Sequence, residues 1–500
     1  MSDDDLAFSS IRTLGRLLRD GTTSPVELTT FYLQRLHRIA EPLNAVSTVT
    51  EEVALREARL AEAELRDGLD RGPLHGIPYG LKDVVSAVGA PTTWGAFPDQ
   101  QFTQEATVVR RLRDAGAVLV AKLATIELAG GMGYDHPDAA VTGAPHNPWD
   151  TSRWTSGSSS GPAAAVGAAA VPFAIGSDTA GSILLPAAFT GTAGLRATYG
   201  RVSRFGAMTL CWTLDRLGPL CRSADDCGLV LEAIAGPDPQ DASSLSVPYR
   251  YTGRPVRSRG FRIGVLEGAG EGAEPAVTAN FASSLAALAE LGTVEEVALP
   301  DLPYAAVADV IIGAEAYAAL DDFIAAGRTS ELTAAKAHGH RLAGAVLPAH
   351  DYLRAQRIRR IIMTRLDELA GGFDALVAPS LGITATPVTD RFAYMLPGAA
   401  GQPLNLAGVL AGSPTVSVLN GLDGDGLPTG IQLAGSRLQE NAVLDAARSL
   451  EERSGTARLR PDGPRGTARQ GTPGAPPPSD PGRGDQGRHR AGPTTTGGRP

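Results

Sequence analysis

Residues 155–170 read TSGSSSGPAAAVGAAA, a stretch with four serines in five consecutive positions followed by small apolar residues. Gly157 to Gly161 fits the pattern G-x-S-x-G, which would place Ser159 as a nucleophile on a sharp turn between a strand and a helix. Clusters of serine and glycine are equally typical of ordinary loops. The polar sequence DTSRWTS before Gly157 does not predict the strand that such a turn requires. Identifying the reactive serine therefore needs evidence from other parts of the sequence.

The composition describes a globular protein with a large core, since 43% of the 500 residues are hydrophobic and 20% are charged. The formal net charge of −9 offers no basic surface for nucleic acid or for an anionic membrane. No apolar run reaches the length that predicts a membrane-spanning helix. The N-terminus MSDDDLAFSS is acidic, unlike a secretory signal. We therefore expect a cytoplasmic protein without a nucleic-acid or membrane partner.

Helix-like and strand-like segments alternate as far as about residue 450, which predicts an α/β fold with helices covering a sheet. TTSPVELTTFYLQRLHRI, for example, begins with helix-capping residues and then repeats apolar residues at helical spacing. From about Thr456 the chain is rich in Pro, Gly and Arg, so it cannot bury enough apolar surface to fold. We expect one domain over residues 1–455 and a disordered tail over residues 456–500.

The sequence predicts neither a metal site nor a cofactor. No histidine stands beside the cysteines, which are Cys211, Cys221 and Cys227, so a zinc site is not expected. FRIGVLEGAGEGA, residues 261–273, resembles half of a dinucleotide-binding fingerprint. Its glycines do not open the following helix, however, and Glu271 would repel a phosphate. We interpret this segment as a structural strand, loop and helix.

Lysine is rare, since the 45 basic residues include only Lys82, Lys122 and Lys336. Arginine can replace lysine where only positive charge is needed, but its guanidinium group cannot act as a base. We interpret Lys336, in a polar helical stretch, as solvated, and Lys122, next to the apolar run AVLV, as structural. Lys82 lies in the apolar stretch HGIPYGLKDVVSAVG, where desolvation would lower the pKa of its amine and make it a base.

A second polar turn stands between apolar runs in FAIGSDTAGSILLPAAFTG. Consecutive backbone N–H groups from Asp178 to Ser182 can point into one cavity there, as an oxyanion hole requires. A serine that closes this turn stands beside its own oxyanion donors, which makes Ser182 a better nucleophile candidate than any serine of residues 156–160. Lysine can serve as the base of such a serine when an intervening hydroxyl relays the proton.

These segments, in this order, resemble the motifs of the amidase signature family, and the resemblance runs from about residue 7 to residue 453. GIPYGLKD resembles the lysine motif of the family, NPWDTSRWTSGSSSGPAAA resembles its Gly/Ser-rich signature, and GSDTAGSILLPAA resembles its nucleophile segment. The resemblance implies an α/β fold with a large mixed twisted sheet covered by helices on both faces. It also implies hydrolysis of an amide C–N bond without a cofactor.

The resemblance also assigns roles to individual residues. It implies that Lys82 is the catalytic base, that Ser158, after a cis peptide bond, relays the proton, and that Ser182 is the acyl-accepting nucleophile. The residues whose backbone it places at the oxyanion and substrate are Thr179, Ala180 and Gly181.

The chain departs from the usual signature at five positions, none of which is a reacting group. Ser156, Ser160 and Ala180 each replace a glycine of the family signature. Pro162 replaces a small polar residue, and Leu184 replaces an arginine. We expect these departures to change rate and substrate range rather than the type of reaction.

Within the family, the alternative is the glutamine-hydrolysing A subunit of a tRNA-dependent amidotransferase, which would act with partner subunits. Binding of free glutamine calls for an acid that pairs with its α-ammonium group. RFAYMLPGAAGQPLN, residues 391–405, contains no acid, so the sequence favours a stand-alone amidase. We expect its substrate to be a small-molecule amide and its partner, if any, to be a second copy of the chain in a homodimer.

Two interpretations outside this choice stay open. The five departures would also suit a decayed, non-enzymatic relative, although the retention of Lys82 in a lysine-poor chain argues against it. An α/β-hydrolase esterase would use Ser159, but the sequence signals no acid and histidine to complete its triad.

Overall fold

The computed structural model describes residues 1–254, 259–334, 343–391 and 402–461. The strands in these residues are β1 (Val46–Val49), β2 (Pro78–Lys82), β3 (Val118–Leu123), β4 (Phe173–Asp178), β5 (Ala193–Arg196), β6 (Arg216–Cys221), β7 (Phe261–Leu266), β8 (Gly292–Val297), β9 (Ala375–Pro379), β10 (Thr415–Leu422) and β11 (Pro428–Ala434).

The α-helices of the same residues are α1 (Asp3–Ala7), α2 (Ile11–Arg19), α3 (Pro25–Arg35), α4 (Glu51–Arg66), α5 (Thr107–Asp114), α6 (Ser160–Gly167), α7 (Leu184–Thr190), α8 (Ala224–Ile234), α9 (Pro275–Leu291), α10 (Tyr304–Ala319), α11 (Asp321–Ala325), α12 (Ala349–Ala370), α13 (Gln402–Ala411) and α14 (Glu440–Ser454). The helix predicted from TTSPVELTTFYLQRLHRI is α3, where Ser24 and Glu27 form a capping box and Pro25 occupies the first turn.

The described strands hydrogen-bond in one sheet of 11, in the order β1-β3-β2-β4-β6-β5-β10-β11-β9-β7-β8. β2 pairs in parallel with β3 and β4, and β7 pairs in parallel with β8 and β9. The strands between these two parallel regions pair antiparallel, as do β1 and β3. The predicted large mixed sheet is confirmed.

Alternate residues of the strands enter different apolar cores, which shows that helices cover both faces of the sheet. In β9, Val377 packs into one core and its neighbour Leu376 into another. Helices α2, α8, α9 and α14 contribute to the first core, while α10, α12 and α13 contribute to the second. A period of two along each strand therefore divides the side chains between two helical layers.

Two neighbouring strands bring the predicted site residues together. Lys82 is the last residue of β2, and β4 ends at Asp178, just before the polar turn that contains Ser182. Because β2 and β4 are parallel neighbours, their C-terminal ends meet at one edge of the sheet. Helices α6 and α7 follow the serine-rich stretch and the turn and pack against each other.

The segment 261–273 forms a strand and turns ahead of a helix, as its sequence indicates. β7 ends at Leu266 and α9 begins only at Pro275, with Gly268, Gly270 and Gly272 at positive φ in the intervening turns. At the other end of the chain, α14 ends before Gly455, and residues 462–500 lie outside the described residues. The division into residues 1–455 and a disordered tail therefore stays a prediction.

Among the helices that the structure describes, none is both long and apolar enough to cross a membrane.

Candidate active site

Lys82 is buried at the end of β2, in contact with two serine hydroxyls. Its Nζ lies 2.8 Å from Oγ of Ser158 and 2.9 Å from Oγ of Ser177. A third contact, 3.5 Å long, reaches the backbone carbonyl of Ser177. The side chain is 0% exposed, so its amine is held among hydroxyl and carbonyl groups rather than in water.

This environment favours the neutral form of the amine. Burial lowers the pKa of Lys82 to about 7, although the charges of Asp178 and Asp215 act in the opposite direction. A buried ammonium group loses its hydration, which is why burial dominates. Near neutral pH, Lys82 can therefore accept a proton from Ser158, the donor–acceptor pair that a relay requires.

Ser158 is held in a tightly packed stretch. The peptide bond between Gly157 and Ser158 is cis, and Ser158 is 1% exposed. At Gly161, the first turn of α6 passes so close to the backbone of Ala124 that an added Cβ would lie 2.4 Å from its nitrogen. Glycine is therefore required at residue 161 for α6 to pack where it does.

The turn after β4 is organised by the carboxylate of Asp178. The N–H groups of Gly181 and Ile183 donate to its two oxygens at 2.8 and 2.7 Å. Gly181 has a φ of +122°, a conformation that favours glycine. Arg196 donates to the same carboxylate at 3.3 Å. The turn is thus fixed before any substrate arrives, as preorganised oxyanion stabilisation requires.

A second set of contacts holds the outer side of this turn. Nδ2 of Asn405 donates to the carbonyl of Ala180 at 3.0 Å, and the hydroxyl of Thr179 donates to Oδ1 of Asp215 at 2.7 Å. The oxyanion role of Thr179, Ala180 and Gly181 stays a prediction. In the structure the Gly181 N–H donates to Asp178.

Ser159 occupies a supporting position. Its backbone N–H donates to the carbonyl of Ser182 at 3.2 Å, which joins the serine-rich stretch to the turn. Its hydroxyl donates to the carbonyl of Ser177 at 3.1 Å and is buried. Because Ser159 directly precedes α6 without a strand immediately before the serine-rich stretch, the geometry does not match the elbow of an α/β-hydrolase.

A cavity of about 210 Å³ opens beside Thr179 and Ser177. Its wall combines apolar side chains with charged ones, and the charged ones include Arg204, Asp215, Arg216 and Asp241. The cavity therefore reaches Thr179 in the turn after β4 and Ser177, whose hydroxyl contacts Lys82.

Three of the five departures from the family signature have different structural consequences. Ser156 has a φ of +64°, which a glycine would adopt without strain, and its buried hydroxyl has no hydrogen-bond partner among the described residues. Ser160 lies in the first turn of α6, and its buried hydroxyl is likewise without such a partner. Leu184, in place of arginine, is 1% exposed and packs into an apolar core.

Within the described residues, the hydrogen bonds of the Lys82 amine do not involve the other residues considered from the sequence. Lys122 is buried and donates to Asp83 at 2.7 Å, in agreement with a structural role. Cys211, Cys221 and Cys227 are buried thiols. In the described ranges, no group of three or more His, Cys, Asp or Glu side chains is arranged to hold a metal ion. Lys336 lies outside those ranges.

Sequence reasoning missed four residues that support the site: Ser177, Asp178, Asp215 and Asn405. Ser177 and Asp178 stand inside the quoted nucleophile segment, but nothing local shows that one contacts Lys82 and the other binds the turn. Asp215 and Asn405 are 36 and 225 residues from their partners in the turn. Only the pairing of β4 with β6 would have indicated Asp215, because Asp178 lies opposite Arg216.

Comparison with known proteins shows the family of this chain. The sequence model of the family described as Amidase matches residues 27–444. The chain is 34% identical over 474 residues to the A subunit of glutamyl-tRNA(Gln) amidotransferase from Microcystis aeruginosa, covering 89% of this chain and 97% of that protein. It is 36% identical over 491 residues to the corresponding protein from Chloroflexus aggregans, covering 92% and 99% of the two chains.

Solved structures of the same kind superpose on it. Native peptide amidase from Stenotrophomonas maltophilia has a TM-score of 0.77 and 31% identity, covering 91% of this chain and 98% of that one. The A subunit of glutamyl-tRNA(Gln) amidotransferase from Thermotoga maritima has a TM-score of 0.72 and 27% identity, covering 90% and 96%.

The names of these relatives correct one expectation. From the acidic net charge and the acid-free segment 391–405, we expected a stand-alone amidase that acts on a small-molecule amide and has no nucleic-acid partner. That prediction is wrong, because the curated relatives are named as one subunit of an amidotransferase for glutamyl-tRNA(Gln). Net charge was a poor guide, since it says nothing about what other subunits of an assembly bind. Residues 392–401 of the acid-free segment lie outside the described residues.

Proposed function

This chain belongs to the amidase family of amide-hydrolysing enzymes, and we propose that it acts through an acyl-enzyme on Ser182, with Ser158 as proton relay and Lys82 as base. The observation that carries the proposal is the 2.8 Å contact between Nζ of the buried Lys82 and Oγ of Ser158. A lysine with a pKa of about 7 has a neutral amine available at physiological pH. A cytoplasmic location belongs to the same proposal.

The proposed reaction has two halves. As Oγ of Ser182 attacks the carbonyl carbon, its proton passes to Ser158 while the Ser158 proton passes to Lys82. The C–N bond then breaks, the relay returns the proton to the leaving nitrogen, and an ester remains on Ser182. Water attacks this ester, the relay again accepts a proton, and the carboxylic acid leaves as Ser182 regains its hydrogen.

Each supporting residue has a defined part in this reaction. Asp178 fixes the turn by accepting two of its N–H groups, so the donors aimed at the oxyanion need no rearrangement during the attack. Ser177 gives Nζ of Lys82 a second hydroxyl contact, which restricts the amine to one position. Ser159 joins the relay serine's segment to the carbonyl of Ser182.

For the substrate, we propose the side-chain amide of glutamine, in a chain that acts as the A subunit of a tRNA-dependent amidotransferase. Support comes from curated relatives of that name, which are 34–36% identical over 89–92% of this chain. In this role, hydrolysis releases glutamate and ammonia, and the ammonia is used by partner subunits on glutamyl-tRNA.

Hydrolysis of a peptide amide is the second candidate. Peptide amidase from Stenotrophomonas maltophilia superposes with a TM-score of 0.77 and 31% identity, against 0.72 and 27% for the amidotransferase protein from Thermotoga maritima. The higher structural similarity supports this candidate, whereas the curated relatives support the first.

The two candidates are separated by measuring ammonia release from L-glutamine and from a C-terminally amidated peptide, with purified full-length protein. The amidotransferase role predicts faster release from glutamine, and a further increase when partner subunits and glutamyl-tRNA(Gln) are added. Faster release from the peptide with no response to tRNA would replace the first candidate by the second. The Ser182→Ala protein is the control for contaminating amidases.

The catalytic proposal has its own test, which does not depend on the substrate. A serine-directed phosphonate should form a covalent adduct on Ser182, detected by mass spectrometry of the digested protein. Labelling of another serine, with Ser182 unmodified in an active preparation, would overturn the assignment.

A further inference from the structure

We propose that Asp215 is a positioning residue for this reaction, which holds the oxyanion turn through Thr179 and sets the pH range over which Lys82 acts as a base. The inference rests on the proposed roles of Lys82 and Ser182. Asp215 would act through its two contacts and its charge, without touching the reacting atoms.

The geometry places Asp215 across from the turn. In the pairing of β4 with β6, Asp178 lies opposite Arg216, so Thr179 and Asp215 are the next pair beyond the ends of these strands. Oδ1 of Asp215 accepts the Thr179 hydroxyl at 2.7 Å. Oδ2 accepts the backbone N–H groups of Leu210 and Cys211 at 2.8 and 2.9 Å. The carboxylate thus ties the turn to the loop before β6.

Both oxygens are therefore occupied, one by the Thr179 hydroxyl and the other by two backbone N–H groups. If the carboxylate is removed, the Thr179 side chain loses its anchor and two N–H groups lose their acceptor at once. Leaving buried donors without an acceptor destabilises the arrangement that they hold. A turn that must present N–H groups to within a few tenths of an ångström of an oxyanion is sensitive to such a loss.

The surroundings of Asp215 combine charges of both signs. The titratable and charged groups that face it or lie close by are Lys82, Asp178, Arg204, Cys211, Arg216, Asp241 and Glu315. Burial raises the pKa of Asp215 to about 6, while its hydrogen bonds and the charge of Arg204 act in the opposite direction. Above this pH the carboxylate is charged, and its charge raises the pKa of Lys82 against the effect of burial.

The sign of the effect on catalysis follows directly. Removing the negative charge withdraws support from the Lys82 ammonium group, so Lys82 loses its proton at a lower pH. The rise of kcat with pH should then begin at a lower pH. A side chain that only stabilised the fold would lower activity or stability without moving this rise.

The test compares Asp215→Asn with Asp241→Asn in the full-length protein, using kcat for L-glutamine or the amidated peptide from about pH 5 to about pH 9. Asn is isosteric, and its amide can still accept from the Leu210 and Cys211 N–H groups while donating to Thr179. We expect the rise to move to lower pH by about half a unit or more in Asp215→Asn. At about pH 6, the fraction of the plateau rate should at least double.

Asp241→Asn is the matched control, because Asp241 lines the same cavity but does not contact the turn. In this variant kcat should rise at the same pH as in the wild-type protein. The proposal is overturned if kcat of Asp215→Asn rises at the same pH as in the wild-type protein. It is also overturned if the rise of kcat moves by the same amount in both variants. A wild-type protein that hydrolyses neither substrate would instead overturn the proposed function.

The positioning role has a second, independent test that keeps the Asp215 charge. Thr179→Val removes the hydroxyl that Asp215 holds, and Thr179→Ser retains it. We expect Thr179→Val to lower kcat by about tenfold with little change in KM, and Thr179→Ser to restore most of it. Equal kcat in the two variants would overturn the positioning role even if Asp215→Asn failed to fold.

Discussion

Ser159 donates its backbone N–H to the carbonyl of Ser182 at 3.2 Å, so a main-chain hydrogen bond joins the two serine-containing motifs. The hydroxyl of Ser159 points elsewhere and bonds the carbonyl of Ser177. This arrangement separates the two serines that the sequence offers as nucleophiles. One supports the segment, and the other closes the turn fixed by Asp178.

Ser182→Ala and Ser159→Ala should therefore differ sharply. Loss of the nucleophile should lower kcat by at least about 10³-fold and abolish the acyl-enzyme, whereas Ser159→Ala removes two neutral hydrogen bonds to the backbone of Ser177 and should keep at least about a tenth of the activity. Steady-state turnover and intact-protein mass spectrometry after substrate addition provide the measurement. If Ser159→Ala were the inactive variant and Ser182→Ala the active one, the elbow interpretation would be correct instead.

The sequence predicted the α/β class and the mixed sheet, because these depend on local patterns and motif order. The roles of Lys82, Ser158 and Ser182 stay a prediction, and the structure places Nζ of Lys82 2.8 Å from Oγ of Ser158. The sequence could not predict the order of the strands, which brings residues far apart in the chain to one edge of the sheet. Asn405 reaches the carbonyl of Ala180 across 225 residues, and such a contact has no local signal. The error about partners has another cause, because the net charge of one chain does not show which partners bind to the assembly that contains it.

Ser156→Gly should stabilise the protein. Ser156 has a φ of +64°, which costs a residue with a Cβ about 1 kcal/mol more than glycine, and its buried hydroxyl lacks a hydrogen-bond partner in the described part of the chain. We expect the free energy of unfolding to rise by about 1 kcal/mol, measured by urea denaturation. Ser160→Gly is the matched control. It removes a similar buried hydroxyl within helix α6, where glycine costs about 0.5–1 kcal/mol. Equal changes in both variants would contradict the role of backbone strain.

The buried ion pair of Lys122 and Asp83 should show strong coupling. Both side chains are at most 1% exposed and lie 2.7 Å apart. Lys122→Met leaves a buried carboxylate without its counter-charge and should cost about 3–5 kcal/mol, while adding Asp83→Asn should recover much of this loss. Thermal unfolding of the two single variants and the double variant gives the coupling. Lys82→Met is the comparison, because Lys82 contacts hydroxyls rather than a carboxylate. This substitution should lower the free energy of unfolding far less. Additive losses at Lys122 and Asp83 would exclude coupling.

The last prediction follows from Lys82 being a base rather than a positive charge. Burial lowers its pKa to about 7. The amine is therefore protonated and inactive well below that pH, and it is neutral and active above it. The rate should rise with pH through about 7 and stay high in mildly alkaline solution. Lys82→Arg keeps a positive charge but offers no accessible neutral form, so it should be as damaging as Lys82→Ala, with a loss of at least about 10²-fold in kcat. Amide turnover by the two variants, measured side by side across the pH range, decides between base and anchor. If arginine restored more than about a tenth of the wild-type rate, against the loss of at least about 10²-fold expected for a missing base, Lys82 would be an electrostatic anchor for Ser158 and the proposed relay would lose its base.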